Sequence, residues 1–440
     1  MIYWMWQIKF IPVICLERIN SLIENVNVKN DVVISTGHKN FHMLFTAAEM
    51  EKRGRLSQVI CGAYPTPFEQ KALNSWPFNL SRKLSRFANR LEKLPADSIN
   101  QSRKSEILSS ISGLLSKLGF NRDELNVKAF QIYGKTSEKV LRRAAKEGAK
   151  VYHYRAGFGQ SSVSLAKELG MRTICDHSIV HPSLLNVLIE NKGIFPDALP
   201  DRPKGIWGAV LDDIESADLV VVNSDFVAQT FKFMGFDEHK LAVVYQGVED
   251  KFFNCLPKSR DYYNKGLKRP IRFLFAGGIV PRKGIDELSE VMMKLKSDQI
   301  ELHLAGSLPE DSRIRYAKLL HDSRVTYHGM LSQKEIAQLM SQSDVFIFPS
   351  RAEGSARVIF EAMGAGCAVI CTPNSGSAMQ DGIGGKLIPI NDTKALEEIV
   401  SDVLQNPIKY TEYGRTNKQL IVNHYTQTSY GDGMEKVYAL

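Results

Sequence analysis

Cysteine is sparse in this 440-residue sequence, and the six present (Cys15, Cys61, Cys175, Cys255, Cys367, Cys371) are scattered. They form no CxxC pair and lie near no histidine cluster at metal-ligand spacing, so neither a zinc site nor a disulfide framework is expected. Cys367 and Cys371 flank the apolar AVI and read as core residues at a strand's edges, and the set as reduced thiols. There is no internal repeat, no low-complexity tract, no Walker A loop and no GxGxxG. Long apolar runs are also missing. The amino-terminal MIYWMWQIKFIPVICL is interrupted by Lys9 and Pro12, lacks a preceding basic region, and falls short of the ~20 apolar residues that span a bilayer. Residues 1–30 are therefore an apolar extension, lying on a membrane surface with Trp4 and Trp6 at the interface, or simply upstream of the first domain. Acid is in deficit: 48 Asp+Glu against 56 Lys+Arg gives a net charge of +8. That balance points to an anionic partner such as membrane phosphate or a phosphorylated substrate. No nucleic-acid partner is expected.

What is present is alternation. Short β-branched runs (DVVIST 31–36, LSQVICG 56–62, AKVYHY 149–154, RTICDH 172–177, ADLVVVNS 217–224) alternate with helical periods. The pattern pauses over 251–269 and resumes with IRFLFAGG 271–278, IELHLAG 300–306, RVTYHG 324–329, DVFIFPS 344–350, AVICT 368–372 and KLIPI 386–390. Strand–helix repetition of this kind makes doubly wound parallel sheets, and the length exceeds what one core usually fills. The expected organisation is a first domain over 31–250, a linker over 251–269, a second domain over 270–425, and a terminal helix over 426–440 returning to the first domain. Residues 65–147 break the alternation and read as a basic helical insertion. Within it Leu80, Leu84, Phe87, Leu91 and Leu94 recur at helical spacing among five cations and one acid, so 79–94 is a candidate for peripheral membrane contact. The alternative is a surface helix with a solvated basic face.

Two stretches carry candidate chemistry. In PSRAEGSARVIFEAMGAGC (349–367), a strand leads through a glycine-containing loop into a helix capped by Ser355. A helix amino terminus with free N–H groups favours an anion. Glu353 in the loop can take hydroxyls held above it, and Glu361, two turns in, can take both hydroxyls of a ribose. In FLFAGGIVPRKGIDEL (273–288), Arg282 and Lys283 follow a strand and precede a helix, placed to neutralise a diphosphate. Asp212-Asp213 lies in a helical run and reads as a solvated face, not as a metal-binding pair, so no metal or cofactor is expected.

FAGGIVPRKG, the run from VTYHG to AVICT, and the terminal MEKVYAL resemble the donor half of retaining glycosyltransferases of family 4, of GT-B fold. The E-x7-E pairing of Glu353 and Glu361 is the densest part of the match. The resemblance implies two Rossmann-like domains facing a cleft. It implies transfer of a sugar, with retention, from a nucleotide-diphosphate sugar, UDP favoured, to an acceptor hydroxyl. The basic balance, the 79–94 segment and the apolar amino terminus fit a glycan or lipid-linked glycan acceptor in polysaccharide assembly at the cytoplasmic face of a membrane, and fit a soluble glycan or small-molecule acceptor equally. Carried over residue by residue, Glu353 binds the donor sugar, Glu361 the ribose, and Lys283 with Arg282 the diphosphate. Gly354 and Ser355 offer N–H groups, and Gly329 and Met330 contact the base. Gly37 and His38 match the turn approaching the diphosphate, His177 faces the sugar from the acceptor side, and Arg155 is a candidate for the acceptor pocket. Catalysis would fall to Glu353, His177 and Lys283. Where relatives often have Arg, this chain has Gly278, which leaves Arg282 as the substitute cation. A sugar-nucleotide epimerase, a glycan phosphorylase and a degenerate transferase serving as an assembly partner share the same cleft architecture and stand as alternatives.

Overall fold

The computed structural model describes residues 30–38, 42–75, 94–255 and 269–439. Nearly all of 1–30, of 79–94 and of 256–269 lies outside them, so the two membrane readings concern segments on which the structure is silent.

Two wholly parallel sheets are present. The first has seven strands, β1 (Val32–Gly37), β2 (Leu56–Cys61), β3 (Ile99–Gln101), β4 (Val151–Arg155), β5 (Arg172–His177), β6 (Leu219–Val222) and β7 (Leu241–Val243), in the order β3-β2-β1-β4-β5-β6-β7. The second has six: β8 (Ile271–Ala276), β9 (Ile300–Ala305), β10 (Val325–Gly329), β11 (Val345–Phe348), β12 (Ala368–Cys371) and β13 (Gly385–Leu387), in the order β10-β9-β8-β11-β12-β13. Each order reverses once, between β1 and β4 and between β8 and β11. Ligands in such sheets bind beyond the strands' carboxyl ends at that switch point.

Both faces of each sheet are covered, which is why the strands are apolar runs and not alternating ones. Cys367 and Cys371 are fully buried in the second core. The terminal helix Gln427–Ala439 packs Tyr430, Met434, Val437 and Tyr438 into the core of the first domain beside Val32, Ile34 and Met43.

Three sequence expectations require correction. Residues 65–147, where described, are not appended to the first domain but built into it. They contribute the edge strand β3 and the Arg122–Lys146 helix, whose Tyr133, Val140, Leu141 and Ala144 are core residues. The first domain ends earlier than residue 250, since Val248 and Phe252 are buried in the second core. Asp213 is buried: its carboxylate accepts the N–H groups of Gly157, Gly159 and Gln160 at 2.7, 2.7 and 2.6 Å, tying a helix to the glycine turn after β4.

Candidate functional site

At the second sheet's switch point, β8 leads through Gly277 and Gly278 into Pro281–Lys283, and β11 leads into Pro349–Ser355. The two turns are held together. The Arg351 N–H donates to the Arg282 carbonyl at 3.0 Å, and a Cβ on Gly284 would lie 2.0 Å from the carbonyl oxygen of Pro349. Side chains 70 positions apart thereby converge. Oε1 of Glu353 accepts from Arg282 Nη1 at 2.8 Å and from Ser350 Oγ at 2.8 Å, and meets Lys283 Nζ at 2.5 Å. Arg282 also donates to the carbonyl of Ala352. Lys283 lies over the ring of Phe348, 5.1 Å from its centroid. Burial lowers the Lys283 ammonium from its ordinary value; Glu353 opposes that shift and Arg282 adds to it.

A cavity of about 340 Å³ opens on this cluster, lined among others by Gly277, Lys283, Met330, Glu353, Ser355 and Glu361. The helix that carries Glu361 runs Arg357–Gly364. Its N-cap is Ala356, with no side-chain bond, so Ser355 precedes the cap and does not supply it. Glu361 therefore sits in the second turn, buried, with Arg357 Nε 3.2 Å from its carboxylate. Burial raises its pKa above the usual carboxylate range against the pull of Arg357. Gly329 ends β10 at φ +70°, and Met330 beyond it is exposed at the cavity wall.

A second cavity, of about 310 Å³, lies at the switch point of the first sheet, with His38, Arg155, Asp176, His177, Ser178 and Trp207 in its lining. His177 is buried, its Nε2 3.2 Å from the carbonyl of Val180, and burial lowers it to about 4, so the ring is neutral. His38 contacts Ser105 and packs edge-on to Phe158. The Gly37 N–H is taken by the Tyr133 hydroxyl at 3.0 Å, and neither Gly37 nor His38 lines the second-domain cavity. The structure thus divides the expected residues between two cavities: Lys283, Met330, Glu353, Ser355 and Glu361 in one, His38, Arg155 and His177 in the other.

Gly354 joins the two. A Cβ there would stand 2.0 Å from the carbonyl oxygen of Ser178, which lines the first-domain cavity. Ser224 Oγ donates to the Gly354 carbonyl at 2.6 Å, and Asn374 Nδ2 bridges the carbonyls of Gly193 and Arg351, both at 2.8 Å. The loop between Glu353 and Ser355 is therefore the contact line of the two domains, with one cavity on either side.

Sequence reading missed the pairing of part-buried His42 with buried Asp176, 3.0 Å apart. Burial pushes the Asp176 carboxyl up, but His42, His153 and Arg155 together hold it down at about 2. The only sequence signal was Asp176 beside His177 at a strand's carboxyl end.

Residues 270–406 match the family model described as glycosyl transferases group 1. The chain is 26% identical over 237 residues to the D-inositol 3-phosphate glycosyltransferase of Mycolicibacterium smegmatis, covering 51% of this chain and 54% of that one. It is 27% identical over 179 residues to the amylovoran biosynthesis glycosyltransferase AmsK of Erwinia amylovora, covering 38% and 42%. The chain spans about half the length, or less, of these curated relatives. Among solved structures, HepE of Anabaena in complex with UDP and glucose superposes with a TM-score of 0.59 at 15% identity, over 93% of this chain and all of HepE. Sucrose-phosphate synthase from Thermosynechococcus elongatus gives 0.62 at 18%, over 93% and 98%. The fold is therefore GT-B, as the sequence led us to expect, and the match to the group 1 model falls within its second half.

Proposed function

We propose that the chain is a retaining, metal-independent glycosyltransferase that moves a sugar from a UDP-sugar to a hydroxyl of a glycan or lipid-linked glycan, on the cytoplasmic side of a membrane. The observation that carries this reading is one cavity lined by Lys283, Glu353 and Glu361, with Arg282 joined to it through its bond to the Glu353 carboxylate. A diphosphate needs cations, and a sugar and a ribose need acceptors, in that order along one ligand. The two curated relatives described above are named as transferases, which weighs against the epimerase and phosphorylase readings.

In the proposed reaction the acceptor hydroxyl attacks the anomeric carbon on the face the nucleotide leaves. The C–O bond to the phosphate breaks, and the hydroxyl proton passes to the departing phosphate oxygen. What the protein must supply is stabilisation of the charge on that phosphate. Lys283 and Arg282 provide it, while Glu353 orients the sugar. The neutral ring of His177 and the Arg155 side chain belong to the acceptor cavity, and Gly37 and His38 contribute through the turn that the Tyr133 hydroxyl fixes.

The test is calorimetric titration with UDP, GDP and ADP. Selective binding of one of them, weakened at least tenfold by Lys283→Ala, is the expected result. Absence of binding to all three would end the transferase reading.

A further inference from the structure

The helix Arg103–Ser116 has two unlike faces. Ser109 and Ser112 line the first-domain cavity, and Ser105 on the same side donates to the Ala129 carbonyl at 2.7 Å. On the opposite side Lys104, Ile107, Ile111 and Leu114 fall within an arc of about 80° at roughly 100° per residue. Ile107 is 58% exposed, Ile111 41% and Leu114 64%; the turn that follows adds Leu118 at 71% and Phe120 at 56%. Single apolar side chains on a surface need no explanation, but five in one band mark an interaction site.

Cations stand at both ends of the band on the helix itself, Lys104 exposed at one and Lys117 at the other; Arg122 lines the cavity, and the exposed Asp123 and Glu124 belong to the first turn of the next helix. The only acid between 104 and 122 is Glu106, which is buried and accepts the Ala63 N–H at 2.8 Å. We propose that this band seats the first domain on an anionic lipid surface. Its apolar centre enters the acyl boundary and its cationic ends meet the headgroups, the arrangement of an interfacial helix. A second copy is a poorer occupant, because antiparallel pairing along the helix sets Lys104 against Lys117. Seating by this helix turns its cavity face, with Ser109 and Ser112, away from the bilayer and about one helix diameter, ~10 Å, above the headgroups, within reach of a glycan extending from its lipid anchor. An acceptor carried on a lipid would then enter the cavity without leaving the membrane; this last step alone rests on the transferase reading.

The test uses the full chain and sedimentation with vesicles of phosphatidylcholine alone, or of equal parts phosphatidylcholine and phosphatidylglycerol. Binding to the anionic vesicles only is expected. Ile111→Asp with Leu114→Asp, and separately Lys104→Glu with Lys117→Glu, should each weaken it on the order of tenfold. Circular dichroism and UDP titration should be unchanged, since all four side chains point to solvent. The proposal is overturned if the wild type binds neither vesicle, or if both variants bind as it does while Leu84→Asp does not. Self-association that the variants abolish, without vesicle binding, overturns it equally. Failure of UDP binding with vesicle binding intact would strike the transferase reading and spare this one.

Discussion

The ammonium of Lys283 lies 2.5 Å from Oε1 of Glu353, the same oxygen that takes the Arg282 guanidinium at 2.8 Å. One carboxylate thus serves two cations, and in the proposed reaction a diphosphate would compete with it for both. On that proposal Glu353→Gln frees the cations for the diphosphate but removes the sugar's anchor. Turnover should fall on the order of 10²–10³-fold, the scale of a lost transition-state hydrogen-bond partner. UDP affinity should hold or rise. Steady-state kinetics beside calorimetry would show it, and near-normal turnover would refute the role given to Glu353.

Gly354→Ala tests the contact between domains. The added Cβ meets backbone atoms of Ser178 and Ile179 at 2.0–3.0 Å, and backbone cannot swing aside as a side chain can. The domains should be held apart, lowering turnover about tenfold or more while UDP affinity changes little, because the cavity proposed for UDP is lined by the second domain alone. Small-angle scattering should give a larger radius of gyration; an unchanged radius would show that the contact is not needed.

Tyr133→Phe removes a hydroxyl that accepts from Ser35 Oγ at 3.2 Å and the Gly37 N–H at 3.0 Å, and donates to the Ile60 carbonyl at 2.7 Å. All three partners are buried, so the loss should cost about 1–3 kcal/mol. Urea unfolding measures it, with a shift of less than a few tenths of a kcal/mol contradicting the account.

Acid should destabilise the fold below about pH 6.5. Burial lowers His153, His177 and His181 to about 4 each. Between 4 and the unfolded value the unfolded chain binds more protons, so stability present above the window is lost as pH falls through it. Asp213 works in the opposite sense. Burial raises it to about 7 against its three N–H donors, so its contribution weakens as pH rises toward 7. Three histidines outweigh one carboxyl, at on the order of 1–3 kcal/mol per group. Melting temperature should therefore fall steadily from pH 7 to pH 4.5; a flat profile would mean the histidines are hydrated in solution.

Where strands are long and doubly buried, sequence placed them well: RTICDH coincides with β5 residue for residue. β3 (INQ) and β7 (LAV) escaped because three residues at an edge carry no period. Glu353 and Lys283 were legible because each follows an apolar strand directly. That they share an oxygen was not, since it depends on how β8 and β11 adjoin in the sheet. Asp213 misled because helical periodicity tells which face is apolar, and says nothing of a glycine turn offering three N–H groups to the other face. His42 and Asp176, 134 positions apart, left no local trace of their pairing.

The chain passes between domains twice, and the two passages touch. Val248 bridges Thr426, its N–H donating to the Tyr425 carbonyl at 2.8 Å, and a Cβ on Gly247 would stand 2.6 Å from the Thr426 carbonyl oxygen. Two covalent crossings fastened at one point act as a pivot. That fastening opposes sliding and makes Val248 the natural axis of any opening, about which the farther a contact lies the farther it would travel.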